Sequence, residues 1–221
     1  MASRPLRIAH RGDPRRAPEN TLPALFAALE HPACDGVEFD VRGSSDGVPV
    51  LIHDETLERV QGRPEQVGAL TAAQLEVHGI PTLEEVLAAL PHRAFLNVEL
   101  KDDPGRSVVE VLAAFRGADL HDAVVSSFEA PILRHVRGLA PAWPLWLNSW
   151  DLEPATIATA AELGCRAVSV EWHAITPASI ERVRAAGLGL AAWTVHRRPT
   201  FERLARLGVL AICVEGAALD H

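Results

Sequence analysis

The chain has 221 residues, 48% of them hydrophobic, and 29 Asp and Glu against 21 Lys and Arg give it a net charge of −8. That length suits one α/β domain over residues 1–221, the hydrophobic fraction excludes a disordered chain, and the acidic balance argues against a nucleic-acid partner, which would ordinarily meet a basic face. There is no apolar run long enough to span a membrane and no apolar leader in Met1-Ala2-Ser3-Arg4-Pro5. Cys34, Cys165 and Cys213 lack CxxC spacing, so the expectation is a cytoplasmic protein with buried thiols and no stable membrane insertion.

Leu6–Ala9 reads as a strand that ends on His10-Arg11-Gly12. Pro18-Glu19-Asn20-Thr21 opens a helix over Leu22–Glu30, with Asn20-Thr21 as its N-cap. The next strand, Val37–Val41, carries Glu38 and Asp40 on one face because strand side chains alternate. Val48–Ile52 follows too closely for a helical crossover, and Asp46-Gly47 is a strong two-residue hairpin signal. Such a turn sets Ser45 opposite Val48 and Asp40 opposite His53, about 5 Å apart at Cβ.

From there strands at Phe95–Leu100, Ala123–Ser127, Leu145–Leu147, Ala167–Val170, Leu190–Val195 and Ala211–Val214 alternate with helices at Leu83–Leu90, Val108–Phe115, Ile132–Leu139, Thr156–Leu163, Ala178–Ala185 and Thr200–Leu207. Thr82 with Glu85 has capping-box spacing, and Thr176-Pro177 reads as an N-cap followed by Pro at the first helical position. A TIM-type (β/α)8 barrel of parallel strands is the economical architecture, with an open doubly wound sheet as the runner-up.

The chemistry sits in residues that strands of such a barrel would not ordinarily carry. Carboxylates, imidazoles and a lysine within or just after apolar runs cost desolvation energy, and Lys101 is the only lysine of the chain. Glu38, Asp40 and Glu99 form an oxygen-rich set suited to a hard divalent cation, Mg²⁺ or Ca²⁺. His10 and His53 could act as general acid and base, and Arg11 and Lys101 could hold a phosphoryl oxygen. Together these groups read as metal-assisted phosphodiester hydrolysis. The remaining histidines, His196 among them, fall mostly in helices and loops, where surface or core duty is the ordinary role.

At these residues the chain resembles the glycerophosphodiester phosphodiesterase family. The likeness runs through Ala9-His10-Arg11-Gly12, Pro18-Glu19-Asn20-Thr21, Val37-Glu38-Phe39-Asp40-Val41, Val50-Leu51-Ile52-His53-Asp54, Ile80-Pro81-Thr82-Leu83-Glu84-Glu85 and Asn97-Val98-Glu99-Leu100-Lys101, and on to Ser126-Ser127-Phe128 and Trp193-Thr194-Val195. The resemblance implies a TIM barrel that hydrolyses a small glycerophosphodiester to glycerol 3-phosphate and an alcohol, with Mg²⁺ or Ca²⁺. It implies Glu38, Asp40 and Glu99 as metal ligands, His10 and His53 as the acid–base pair, Arg11 and Lys101 at the phosphate, Glu19 as a hydrogen-bonder beside the site and Trp193 in the pocket wall. Glu55–Gly79 corresponds to a short form of the family's insertion after the second-strand hairpin.

Two departures stand out. Val214-Glu215-Gly216-Ala217 replaces the family's usual Thr-Asp ending of the last strand, and His196 follows Trp193-Thr194-Val195 where Asn is usual. A phospholipase of C or D type acting on a lysolipid is the alternative enzyme, and a non-catalytic barrel binding a phosphorylated ligand is the alternative of a different class.

Overall fold

Apolar runs punctuated by Gly, Pro and capping residues fold into alternating strands and helices in the computed structural model, which describes residues 4–103 and 105–220. Met1–Ser3, on which the leader reading falls, lie outside the described residues with Pro104 and His221. The order is β1 (Leu6–His10), α1 (Leu22–Leu29), β2 (Gly36–Gly43), β3 (Pro49–Leu51), α2 (Glu58–Gln61), α3 (Ala72–Glu76), α4 (Leu83–Ala89), β4 (Phe95–Leu100), α5 (Arg106–Arg116) and β5 (Ala123–Ser127). It continues with α6 (Ala130–Leu139), β6 (Leu145–Ser149), α7 (Pro154–Glu162), β7 (Ala167–Glu171), α8 (Pro177–Ala185), β8 (Gly189–Val195), α9 (Arg198–Arg206) and β9 (Ala211–Val214).

All of the strands except β3 form a closed parallel barrel in the order β1-β9-β8-β7-β6-β5-β4-β2, and β2 pairs back to β1. The closing register, Ile8↔Gly36 through His10↔Glu38, rules out the open doubly wound sheet. At Gly36 the barrel wall is too tight for a side chain, since a Cβ there would lie 2.0 Å from the Phe95 carbonyl oxygen. Capping follows the sequence signals: Thr82 and Thr176 close capping boxes, and Pro occupies the first turn of α1, α6, α7, α8 and α9. The main core lies between the outer barrel face and the helices, where Leu25, Phe39, Leu83, Val98 and Leu133 are fully buried. Each such side chain contributes about 1.5–3 kcal/mol of transfer free energy.

Inside the barrel the character changes along the strands. Ile8, Val124, Trp146, Ala167, Ala191 and Ala211 make an apolar plug near the strands' N-terminal ends. Two residues further along the same strands the inward positions become His10, Ser126, Asn148, Ser169, Trp193 and Cys213, and the neighbouring β2 and β4 supply Glu38 and Asn97. The polar half of the interior therefore opens at the C-terminal face, where barrel enzymes keep their chemistry.

The hairpin differs from the expected register by one residue. Val41 faces Leu51 and Arg42 faces Val50, so Asp40 lies opposite Ile52, whose N–H donates to the Asp40 carbonyl at 3.0 Å, and His53 is one step beyond. The turn is longer than Asp46-Gly47: Ser44 N donates to Val48 O at 3.0 Å, Gly47 N donates to Ser44 O at 3.0 Å, and Gly47 has φ +76°. That is a three-residue loop closed by a left-handed glycine, and one extra loop residue shifts the ladder by one. The 55–79 insertion carries α2 and α3 over a small core of its own, formed by Val50, Ile52, Leu57, Val67, Leu75 and Ile80. A Thr71–Gln74 capping box starts α3.

Candidate active site

The β1 turn builds the first wall of the site. Arg11 (φ 56°), Gly12 (φ 88°) and Asn20 (φ 58°) all adopt left-handed backbone, and Asn20 N donates to Arg11 O at 3.1 Å. For Arg11 this costs about 1–2 kcal/mol, whereas Asn is among the side chains that adopt it most readily. Gly12 is obligatory, because a Cβ would meet the Ala24 carbonyl carbon at 2.5 Å. The turn throws His10 and Arg11 over the barrel mouth. Thr21, the true N-cap of α1, frees the Asn20 side chain to reach Asp40: its Nδ2 donates to Asp40 Oδ2 at 2.8 Å and its Oδ1 accepts from Asp40 N at 3.1 Å.

Glu38, Asp40 and Glu99 meet because β2 and β4 are parallel neighbours with Asp40 beside Glu99. One oxygen from each lies within 4.8 Å of the others, and this is the acidic cluster of metal-binding geometry among the described residues. All three carboxylates are buried. Glu38 Oε1 and Asp40 Oδ1 accept no hydrogen bond. Lys101 places its ammonium 3.1 Å from Asp40 Oδ1 and on Glu99 Oε1, and Arg11 Nε lies 2.9 Å from Asp40 Oδ2. A set of hard carboxylate oxygens, with Glu38 Oε1 buried and left without a partner, fits Mg²⁺ or Ca²⁺.

The electrostatics bear the mark of this crowding. Burial pushes the Glu38 carboxyl up to about 8, with the Asp40 charge adding to it and His10 opposing. Burial also raises Glu99, and Asp40 adds to that shift. Asp40 goes the other way, to about 2: burial opposes its ionisation, but Lys101, Arg11, His53 and the Asn20 hydrogen bond outweigh it.

Both sequence-predicted histidines flank the cluster, and each gives its Nδ1 to a carboxylate. His53 Nδ1 lies 2.6 Å from Asp54 Oδ1, and His10 Nδ1 is hydrogen-bonded to Glu215 Oε1 just past the end of β9. His10 Nε2 is 3.9 Å from Glu38 Oε2. Burial works against protonation of His10, yet Glu215, Glu38 and Asp40 raise its pKa overall, whereas burial lowers that of His53. Paired this way, each imidazole keeps Nε2 for the site.

His10, Arg11, Glu38, His53, Glu99, Lys101 and Trp193 line one cavity of about 170 Å³. Phe128, Trp150 and Trp193 form its aromatic wall, with ring centroids 4.7–5.9 Å apart and Trp150 68% exposed. Glu19 lies outside that cavity. Its carboxylate accepts from Arg11 at 2.9 Å and from Arg59 of α2 at 2.6 and 2.9 Å, while Arg59 also reaches Asp54. It therefore fixes Arg11 from behind and ties the insertion to the site. A larger depression of about 720 Å³ at the opposite end of the barrel is bordered by Leu6, Phe95, Trp143 and Trp146 and holds no such carboxylate cluster.

Asn20, Asp54, Arg59 and Glu215 join the site without having been singled out for it. Alternation along β9 (Ala211, Cys213, Glu215) is the signal that could have found Glu215. Asn20→Leu is expected to cost about 1–3 kcal/mol, since the buried Asp40 N–H loses its acceptor. Urea unfolding checks this, and an unchanged midpoint would contradict it.

A family model described as "Glycerophosphoryl diester phosphodiesterase family" matches residues 10–217. A glycerophosphodiester phosphodiesterase of Caldanaerobacter subterraneus is 31% identical over 229 residues, covering 94% of this chain and 93% of that protein. Among solved structures, an Oleispira antarctica phosphodiesterase in complex with the product sn-glycerol-3-phosphate superposes with a TM-score of 0.84 at 28% identity, covering 96% of this chain and 93% of the other. A glycerophosphodiester phosphodiesterase from Agrobacterium tumefaciens does so with 0.83 at 26% identity, covering 98% of each chain.

Proposed function

Because the chain belongs to the glycerophosphoryl diester phosphodiesterase family, we propose that its barrel mouth converts glycerophosphodiesters to glycerol 3-phosphate and an alcohol, with a divalent cation on Glu38, Asp40 and Glu99 and with His10 and His53 as the acid–base pair. It is an enzyme, a phosphoric diester hydrolase. The observation that carries the finer reading is the meeting of a buried three-carboxylate cluster, two carboxylate-held imidazoles and two cationic side chains in one cavity. The product bound in the Oleispira relative supports glycerol 3-phosphate as the product here.

Hydrolysis adds an oxygen to phosphorus and breaks the P–O bond to the alcohol. The attacking oxygen must lose a proton and the departing oxygen must gain one. His10 and His53 are suited to these transfers at Nε2, each imidazole held by its carboxylate. Arg11 and Lys101 are suited to the non-bridging phosphoryl oxygens, whose charge grows in the transition state. A bound Mg²⁺ or Ca²⁺ would add Lewis-acid polarisation of the phosphoryl group. Asn20 and Glu19 keep Asp40 and Arg11 in place.

The test is release of glycerol 3-phosphate from a panel of glycerophosphodiesters with Mg²⁺ or Ca²⁺, repeated with chelator. Release that stops on chelation is the expected result. Equal release with and without chelator would remove the cation from the mechanism. No release from any member, with cation shown to bind, would redirect the reading to lysolipid substrates.

A further inference from the structure

The ends of β8 and β9 run side by side, and the two departures noted in the sequence come together there. Glu215 N donates to Val195 O at 3.0 Å, and Ala218 N donates to His196 O at 3.2 Å, so the backbone fixes His196 next to Glu215. The Glu215 carboxylate is then shared. Oε1 is hydrogen-bonded to His10 Nδ1, and Oε2 lies 3.5 Å from His196 Nδ1. Exposure rises along this row, from 19% for the His10 side chain to 26% for Glu215 and 61% for His196. An imidazole, a carboxylate and a second imidazole thus lead from the cavity to the surface, each on a different strand end.

We propose that Glu215 and His196 are positioning residues for His10, with Glu215 fixing the imidazole through Nδ1 and His196 fixing Glu215. This rests on the reading of His10 as one of the acid–base pair. A carboxylate held at one oxygen can still turn about its side-chain torsions. Engagement of the second oxygen narrows the rotamers open to the carboxylate and so favours one ring orientation and one tautomer of the imidazole it holds, with Nε2 towards Glu38. The competing account is that His196–Glu215 is an ordinary surface ion pair, worth about 0–1 kcal/mol and without effect on the site.

The two accounts separate in kinetics with glycerophosphocholine as the probe. Glu215→Leu is expected to lower kcat on the order of 10²-fold with little change in KM, the scale seen when an imidazole loses its orienting carboxylate. Glu215→Gln, whose amide can turn to donate to Nδ1 and so favour the other tautomer, should lose kcat on at least the scale of Glu215→Leu. His196→Asn should lower kcat roughly threefold to tenfold in the wild-type background and not at all in Glu215→Leu, the coupling expected of residues that act through one another. Equal effects of His196→Asn in both backgrounds would overturn the role of His196, and an unchanged kcat in Glu215→Leu would overturn that of Glu215.

Nitrogen-15 spectra of histidine-labelled protein give a readout independent of turnover. His10 should carry its proton on Nδ1 in the wild type and lose that preference in Glu215→Leu. If the wild type hydrolyses no diester, the functional reading fails and the spectrum alone decides the positioning: a shifted tautomer upholds it, and an unchanged one overturns it. Should Glu215→Leu not fold, Glu215→Gln and His196→Asn carry the same kinetic comparison.

Discussion

His10→Ala and His53→Ala are each expected to lower kcat by about 10²–10⁴-fold, the range over which a positioned acid or base contributes. KM, circular dichroism and cation affinity should change little. Neither imidazole belongs to the carboxylate cluster, and both lie at the barrel mouth outside the main apolar core. If one of them serves an acid and the other a base, the double variant should be little slower than the worse single variant, because a transfer chain missing one member is already broken. Steady-state kinetics of the three proteins check this. Turnover within a factor of a few of wild type in either single variant would end that residue's assignment.

The second large effect concerns stability and follows from Glu38. A glutamate in the unfolded chain ionises near pH 4.5, whereas burial among carboxylates holds the folded group up to about 8. Between those values the folded chain keeps a proton that the unfolded chain releases, so stability without cation falls as pH rises from about 4.5 to about 8. The raised Glu99 acts in the same direction. The depressed Asp40 acts elsewhere: its contribution is present above about pH 4 and is lost as pH falls towards 2. The midpoint of thermal unfolding without cation is therefore expected to fall by several degrees across the upper window.

Added Mg²⁺ or Ca²⁺ should reverse the decline, and increasingly so at higher pH, because the cation selects the ionised carboxylate. Thermal unfolding at pH 5, 6.5 and 8, with cation and with chelator, measures both halves. In Glu38→Gln the group has no proton to lose, so the pH slope should flatten and the cation response should shrink. A wild-type midpoint that rises across the window in chelator would contradict the account.

The barrel was legible in the sequence because both of its periodicities are strong. Phe95–Leu100, Ala123–Ser127 and Ala211–Val214 fold over the expected spans. Several helices begin two residues earlier than their apolar periodicity suggests, since α6, α7 and α9 start on polar or small residues with Pro in the first turn, ahead of the first buried side chain. The hairpin slipped by one because Ser44 takes a closing role that Asp46-Gly47 alone does not reveal. In the insertion, Thr71 and Gln74 carried a capping signal for α3 that the shortness of the helix hid.

The site was legible where burial of charge is costly in itself. Glu38, Asp40, Glu99 and Lys101 declare themselves by standing in or beside apolar strands. Asn20, Arg59 and Glu215 do not, because each sits where a polar residue is ordinary: beside a helix cap, on a short exposed helix and at a strand end. Their roles depend on which distant segment the fold brings alongside, and a single sequence does not display that. Glu215 and His196 appeared only as separate irregularities, and the fold brings them within 3.5 Å of each other.

His10 belongs to the first barrel strand and Glu215 follows the last, so their hydrogen bond bridges the seam at which the barrel closes. The pairing that makes the seam joins residues about two hundred positions apart, Leu6 with Ala211 to Ala9 with Val214. During synthesis a ribosome-bound chain that has not yet delivered Glu215 can carry every cluster carboxylate and still lack one side of the His10 clasp. Full turnover would therefore switch on late, with ring closure, which would make catalytic rate a sensitive reporter of whether the last strand has docked.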